Sequence, residues 1–165
     1  MSQVPILAAI CALLALAPAA KAHPQAHTTV ATTNGASADA NASGVVDDVH
    51  AALARGDTVA AEKLLSEAVI IFEGGSAERS RVEYASAHLL ADAAFEQAVG
   101  SQMVRRNGGT SGDLAWVASE GRTKGQFKGR DVDRVTTETM VLHRVSGVWM
   151  IVHVHWSSHA VTTAH

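Results

Sequence analysis

The sequence predicts an α+β domain in which helices come first and most strands follow. Three observations carry this. Between residues 44 and 99, apolar residues recur at the three- and four-residue spacing of helices, interrupted by one early apolar strand. From about Ser101 onward the chain becomes rich in β-branched and aromatic residues, with glycines between the runs. The last stretch, residues 138–158, reads as two antiparallel strands joined by a tight turn at Ser146-Gly147.

Taken in order, Val45, Val49, Ala52 and Leu53 form the apolar stripe of a first helix, and Gly56 is its C-terminal stop. Asp57 caps a second helix through about Ser66, with Val59, Ala60 and Leu64 facing inward. Residues 68–73 form an apolar strand ending at Gly74-Gly75. Ser80 and Glu83 make a capping box for the longest helix, Ser80–Val99, which Gly100 ends. Val82, Leu89, Leu90, Ala93, Phe95 and Val99 make that helix apolar over a wide arc. Strands follow at Ser101–Asn107 with a turn at Gly108-Gly109, then Leu114–Lys124, Val132–Val145 and Val148–Ser158. In the last strand, alternation puts Val148, Met150, Val152, Val154 and Trp156 on one face and Trp149, Ile151, His153, His155 and Ser157 on the other. The uniformly apolar first face is expected under helices. The second suits another sheet or a partner chain.

At 165 residues the chain has room for one ordinary domain, and 47% hydrophobic residues are ample for its core. A net charge of −3 and the lack of any basic run argue against a nucleic-acid partner. Ile6–Ala17 is too short an apolar run to span a bilayer and ends in small residues. Ala20-Lys21-Ala22 fits a cleavage site, so residues 1–22 read as an export signal. The expected location is periplasmic or secreted, with no membrane attachment after cleavage. The lone cysteine, Cys11, lies inside that signal, so the mature chain has no disulfide. Residues 23–43 read as a disordered linker, residues 44–160 as the folded domain and residues 161–165 as a tail.

The pattern Glu138-Thr139-x-Val141-x-His143-Arg144-x-x-Gly147-x-Trp149-x-x-Val152-His153-x-His155-x-Ser157 resembles the end of the association domain of calcium/calmodulin-dependent protein kinase II. More broadly it resembles the SnoaL-like branch of the nuclear transport factor 2-like superfamily. The resemblance implies a cone: a curved antiparallel sheet wrapped around a long helix, also described as cystatin-like, with a pocket between them. The fold serves enzymes, binding modules and assembly domains alike. The kinase domain carries pocket arginines at positions matching Met140 and Trp156 here. Their replacement implies an apolar cavity for a small apolar or aromatic molecule. The expected pocket residues are Glu73, Trp116, Met140, Val154 and Trp156, and the implied assembly is a homodimer through the sheet.

Tyr84, His88 and Asp92 share one helix side at four-residue spacing. They read either as acid–base groups at the pocket edge, for isomerase, dehydratase or cyclase chemistry, or as plain helix surface. Glu73 reads as a pocket-mouth carboxylate or an exposed strand end. Trp116 reads as a ligand platform or as core. His153 and His155, an H-x-H pair on a strand, read as interface groups ahead of metal ligands. Cleavage after Ala22 would leave His23 as an N-terminal histidine, with His27 nearby, a possible copper site. No cofactor is implied. The leading expectation is small-molecule binding. The alternatives are acid–base catalysis and copper or zinc binding.

Overall fold

The computed structural model describes residues 38–161. The expected signal segment, His23, His27 and most of the expected linker lie outside the described residues. Four helices and six strands follow in order: α1 (Ala40–Ala54), α2 (Thr58–Lys63), β1 (Leu65–Glu73), β2 (Ser76–Glu78), α3 (Arg81–Ala87), α4 (Leu89–Ala98), β3 (Val99–Ser111), β4 (Leu114–Phe127), β5 (Arg130–Val145) and β6 (Val148–Ala160). The strands form one sheet in the order β2-β1-β6-β5-β4-β3. Every pairing is antiparallel except β1 with β6. The fold is α+β, with a mixed, mainly antiparallel sheet wrapped partly around the helices.

Local chemistry explains the helix ends. Helix α1 begins at Ala40, earlier than the linker boundary expected at residue 43, because the Asp39 side chain accepts from the Asn41 N–H. Asp57 caps α2 through the Ala60 N–H. Ser80 accepts from the Glu83 N–H, while Glu83 returns to the Arg79 N–H. The long helix expected over residues 80–99 is broken at His88, which closes α3 and opens α4. The break re-aims the two halves. Tyr84, Leu89 and Ala93 are buried, while Val82 and Leu90 are more than 70% exposed. Val59, expected inside, is also exposed.

The Gly108-Gly109 turn expected after residue 107 does not form; β3 runs on to Ser111, and the turn falls at Gly112, whose φ is +59°. Gly108 serves a close approach instead. A Cβ there would lie 2.6 Å from the Ala38 side chain and 2.8 Å from the Trp116 carbonyl oxygen.

The alternation expected along the last strand is corrected by a β-bulge. Val141 pairs with His153, but Leu142 pairs with Ile151, which leaves Val152 as the extra residue. Parity therefore switches within the strand. Trp149 and Ile151 are buried beside the helices in its first half, and Val154 is buried in its second; Val148 is 59% exposed. The core joins Val46, Val49 and Leu53 of α1 to Val69 and Ile71 of β1, Val117 of β4, Met140 and Leu142 of β5, and Ile151 and Val154 of β6.

Candidate functional site

A cavity of about 780 Å3 lies between α1, α4 and the inner face of the sheet. Leu53, Phe95, Val99, Met103 and Trp156 supply apolar wall, Asp47, Glu73, Asp92, Glu96, Glu120 and Glu138 supply carboxylates, and Arg106 and Arg134 supply guanidinium groups. An apolar cavity was expected, and the apolar part is present. The acidic part comes from α1, α4, the end of β1 and the middles of β4 and β5, which face the same space.

Of the five expected pocket residues, Glu73 and Trp156 line the cavity. Met140 and Val154 are packed in the core, at 0% and 1% exposure, and are not among the lining residues. Trp116 lies on the opposite face of the sheet and is 45% exposed. The parity of β4 explains it: neighbours Ala115 and Val117 claim the core, so Trp116 must point away.

The Tyr84, His88 and Asp92 row separates in space. Tyr84 is buried beside Trp156, with ring centroids 6.4 Å apart, and its hydroxyl donates to Asp92 Oδ2 at 2.8 Å. Asp92 lines the cavity. His88 turns its Nδ1 to Glu78, at the end of β2, and is not among the lining residues. The helix break at His88 produces this split.

His50 was not singled out from the sequence. Its Nε2 lies 2.6 Å from Glu138 Oε2, and the Trp156 indole N–H donates to the same oxygen at 2.7 Å. Both His50 and Glu138 line the cavity. A signal existed: His50 follows buried Val46 by four residues and precedes buried Leu53 by three, so it sits beside the apolar stripe. Glu96 extends the Tyr84, His88, Asp92 series by one more step of four.

Burial alone would lower the pKa of His50, but the hydrogen bond and charge of Glu138 outweigh it and hold the imidazole above its ordinary value. Burial alone would raise Glu138, but His50 and the Trp156 N–H hold it below its ordinary value. Three other carboxylates are shifted upward. Burial raises Glu73, helped by the charge on Asp92. Burial raises Asp92 against the Tyr84 hydrogen bond. Burial raises Glu96, helped by Glu138 and Asp92.

These directions fix a pH dependence. The raised His50 contributes stability below its unfolded value of 6.5, and that contribution is lost as pH rises through the folded value. The raised acids resist ionisation in the fold, so stability also falls as pH climbs from 4.5, or 3.8 for Asp92, through their folded values. Glu138 runs the other way and costs stability only as pH falls through its lowered value. The melting temperature is therefore expected to be higher at pH 5.5 than at pH 8, by about 2–4 °C. Calorimetry at the two pH values checks it; a higher melting temperature at pH 8 would contradict the assignment.

The histidines of the sheet lie apart from this network. His153 Nδ1 meets the Ile70 carbonyl oxygen at 3.0 Å, and Phe72 packs edge-on against His153 and His155, at centroid distances of 5.2 and 6.3 Å. His155 is nevertheless among the residues bordering the cavity. Among the described residues no three His, Cys, Asp or Glu side chains are grouped to hold a metal ion. His23 and His27 lie outside the described residues. No described helix is long and apolar enough to cross a membrane.

Residues 43–162 match the SnoaL-like domain family, and the chain belongs to it. A solved protein from Shewanella frigidimarina, provisionally assigned as a ketosteroid isomerase, is 39% identical, with 72% of this chain and 96% of that one covered and a TM-score of 0.70. A provisionally assigned calcium/calmodulin-dependent protein kinase II association domain from Xanthomonas campestris is 18% identical, covering 78% and 98% at a TM-score of 0.62. The Caenorhabditis elegans association domain of that kinase is 22% identical, covering 70% and 91% at a TM-score of 0.56. The last two likenesses show the shared nuclear transport factor 2-like fold. No curated protein matches.

Proposed function

We propose that this chain is an exported SnoaL-like domain that takes a small organic molecule with an apolar or aromatic body into its cone. The cavity carries this reading: Trp156, Phe95, Leu53 and Val99 offer a surface for the apolar body, beside a few polar groups that would orient it. The volume, about 780 Å3, is that of a site for a drug-sized molecule. In this reading two copies pair through the outer face of the sheet, where Ile70, Phe72, Leu114 and Trp116 are each more than 40% exposed.

A specific observation favours a second reading, acid–base catalysis on the bound molecule. Asp92 borders the cavity, is held above its ordinary pKa and is backed by the Tyr84 hydroxyl. In this version Asp92 exchanges the proton, and Tyr84 positions it. His88 has no part, because its ring is bound to Glu78. The provisional isomerase assignment of the Shewanella protein is in keeping with such chemistry.

The test is a titration with 2-phenylethanol, followed through the indole N–H resonance of Trp156, which Trp156→Phe identifies. A saturable shift at millimolar ligand is expected, with the Trp116 resonance unmoved. An unchanged Trp156 resonance would count against the pocket. Export and pairing are checked on protein from its native host: an N-terminus at Met1 would remove the first, and a monomer in sedimentation the second.

A further inference from the structure

Building on the small-molecule reading of the cavity, on which this rests, we propose that His50 is the group that grips the ligand. Anchored through Nε2 by Glu138, it offers an N–H at Nδ1 to a carbonyl oxygen of the bound molecule. The ring is fixed from behind. Glu138 and Trp156 are direct partners across β5 and β6, so the sheet sets the carboxylate beside the indole. The Trp156 N–H donates to Glu138 Oε2 at 2.7 Å, and His50 Nε2 meets the same oxygen at 2.6 Å. Tyr84 is buried beside the indole, with ring centroids 6.4 Å apart. Packing and hydrogen bonds thus hold one edge of the imidazole in a set direction.

The other edge has no partner among the described residues. His50 Nδ1 makes no hydrogen bond there, and it is not one of the buried polar atoms left unpaired, which are Arg81 Nε and Glu138 Oε1. It is therefore open to solvent. The side chain is 36% exposed and borders the cavity, so this is the edge a ligand reaches. Both nitrogens carry protons when the ring is charged. Burial and the charge of Arg106 oppose the charged form, but the hydrogen bond and charge of Glu138, helped by Glu96, outweigh them. A charged imidazole with one N–H spent on Glu138 has one N–H left to give.

A carbonyl oxygen suits that N–H, because it accepts without donating and carries no charge. Charge matters here: six carboxylates and two guanidinium groups border the space, so an anionic ligand group meets net repulsion. Hydroxyl and amine groups find acceptors along those carboxylates. A carbonyl oxygen needs a donor, and the Trp156 N–H is already spent on Glu138. Arg106 and Arg134 also border the space, with N–H groups on Asp47, Ser119 and Ser158. The Trp156 and Phe95 rings at the same wall take the hydrocarbon part.

The experiment pairs acetophenone with α-methylstyrene, which has the same shape but a methylene in place of the oxygen, on the full chain. Affinity is read at pH 6 from the Trp156 indole resonance, and the protonation of His50 from a nitrogen-15 titration of its ring. An acceptor meets Nδ1 only while that nitrogen holds its proton, because the neutral ring keeps its one proton on Nε2, toward Glu138. Binding and protonation must therefore favour each other. Acetophenone is expected to raise the His50 pKa, and α-methylstyrene is not; an oxygen held by Arg106 or Arg134 instead gives no such rise. In His50→Gln, whose amide still donates to Glu138 but lacks the Nδ1 donor, the acetophenone-to-α-methylstyrene affinity ratio is expected to fall about tenfold. A His50 pKa that stays put or falls with acetophenone, a rise of the same size with both probes, or an unchanged ratio in His50→Gln overturns the proposal while leaving the small-molecule pocket in place. The nitrogen-15 titration is made on the parent chain, so it decides alone should His50→Gln not fold. No response of Trp156 to either probe removes both readings.

Discussion

Ile151→Ala is expected to lower the free energy of unfolding by about 2–5 kcal/mol, whereas Val148→Ala is expected to stay within about 0.5 kcal/mol of the parent. The contrast follows from the bulge at Val152. Ile151 is fully buried against α1 and the sheet interior, and truncation leaves a cavity the surrounding core fills only in part. Val148 is mostly exposed and loses little contact. Simple alternation makes the opposite prediction, because it places Val148 inside and Ile151 outside. Urea unfolding of both variants with unchanged slope decides the matter. A costly Val148→Ala beside a mild Ile151→Ala would show that the strand runs without the bulge.

Tyr84→Ala is expected to cost about 3–5 kcal/mol, as for other large aromatic truncations in a core. The ring is 2% exposed and packs near Trp156, so its removal takes the backing from a cavity-wall residue as well as packing from the core. Tyr84→Phe separates packing from polarity and is expected to cost about 1–2 kcal/mol. It keeps the ring but strips Asp92 of its donor. The Tyr84 hydrogen bond lowers the Asp92 pKa against burial, so its loss must raise that pKa further. Carbon-13 titration of the Asp92 carboxyl in Tyr84→Phe measures the shift. A downward or absent shift would mean that the hydroxyl does not serve Asp92 in solution.

These two sites mark the edge of what could be read in advance. Capping at Asp57 and Ser80, the stop at Gly56 and the hairpin at Ser146-Gly147 were all legible, because each depends on neighbours within a few residues. The SnoaL-like family was legible from the run Glu138–Ser157, since that ribbon concentrates the residues the fold demands. The site was legible only in pieces. Asp92, Glu73 and Trp156 were named and border the cavity; Met140, Val154 and Trp116 were named and do not. His50 was missed because its partner, Glu138, lies 88 residues away. No spacing rule links a residue on the first helix to one on the fifth strand.

The sequence by itself determined where the chain turns, which segments alternate or coil, and which family the whole belongs to. Those properties follow from local backbone preference and from the period of the apolar residues. Only the tertiary structure decided which way the side chains of the last strand face, that the long helix breaks at His88, and that Glu138 shares one cavity with His50 and Asp92. One inserted residue at Val152 reverses a face without changing composition, and a shared cavity depends on how distant segments pack together.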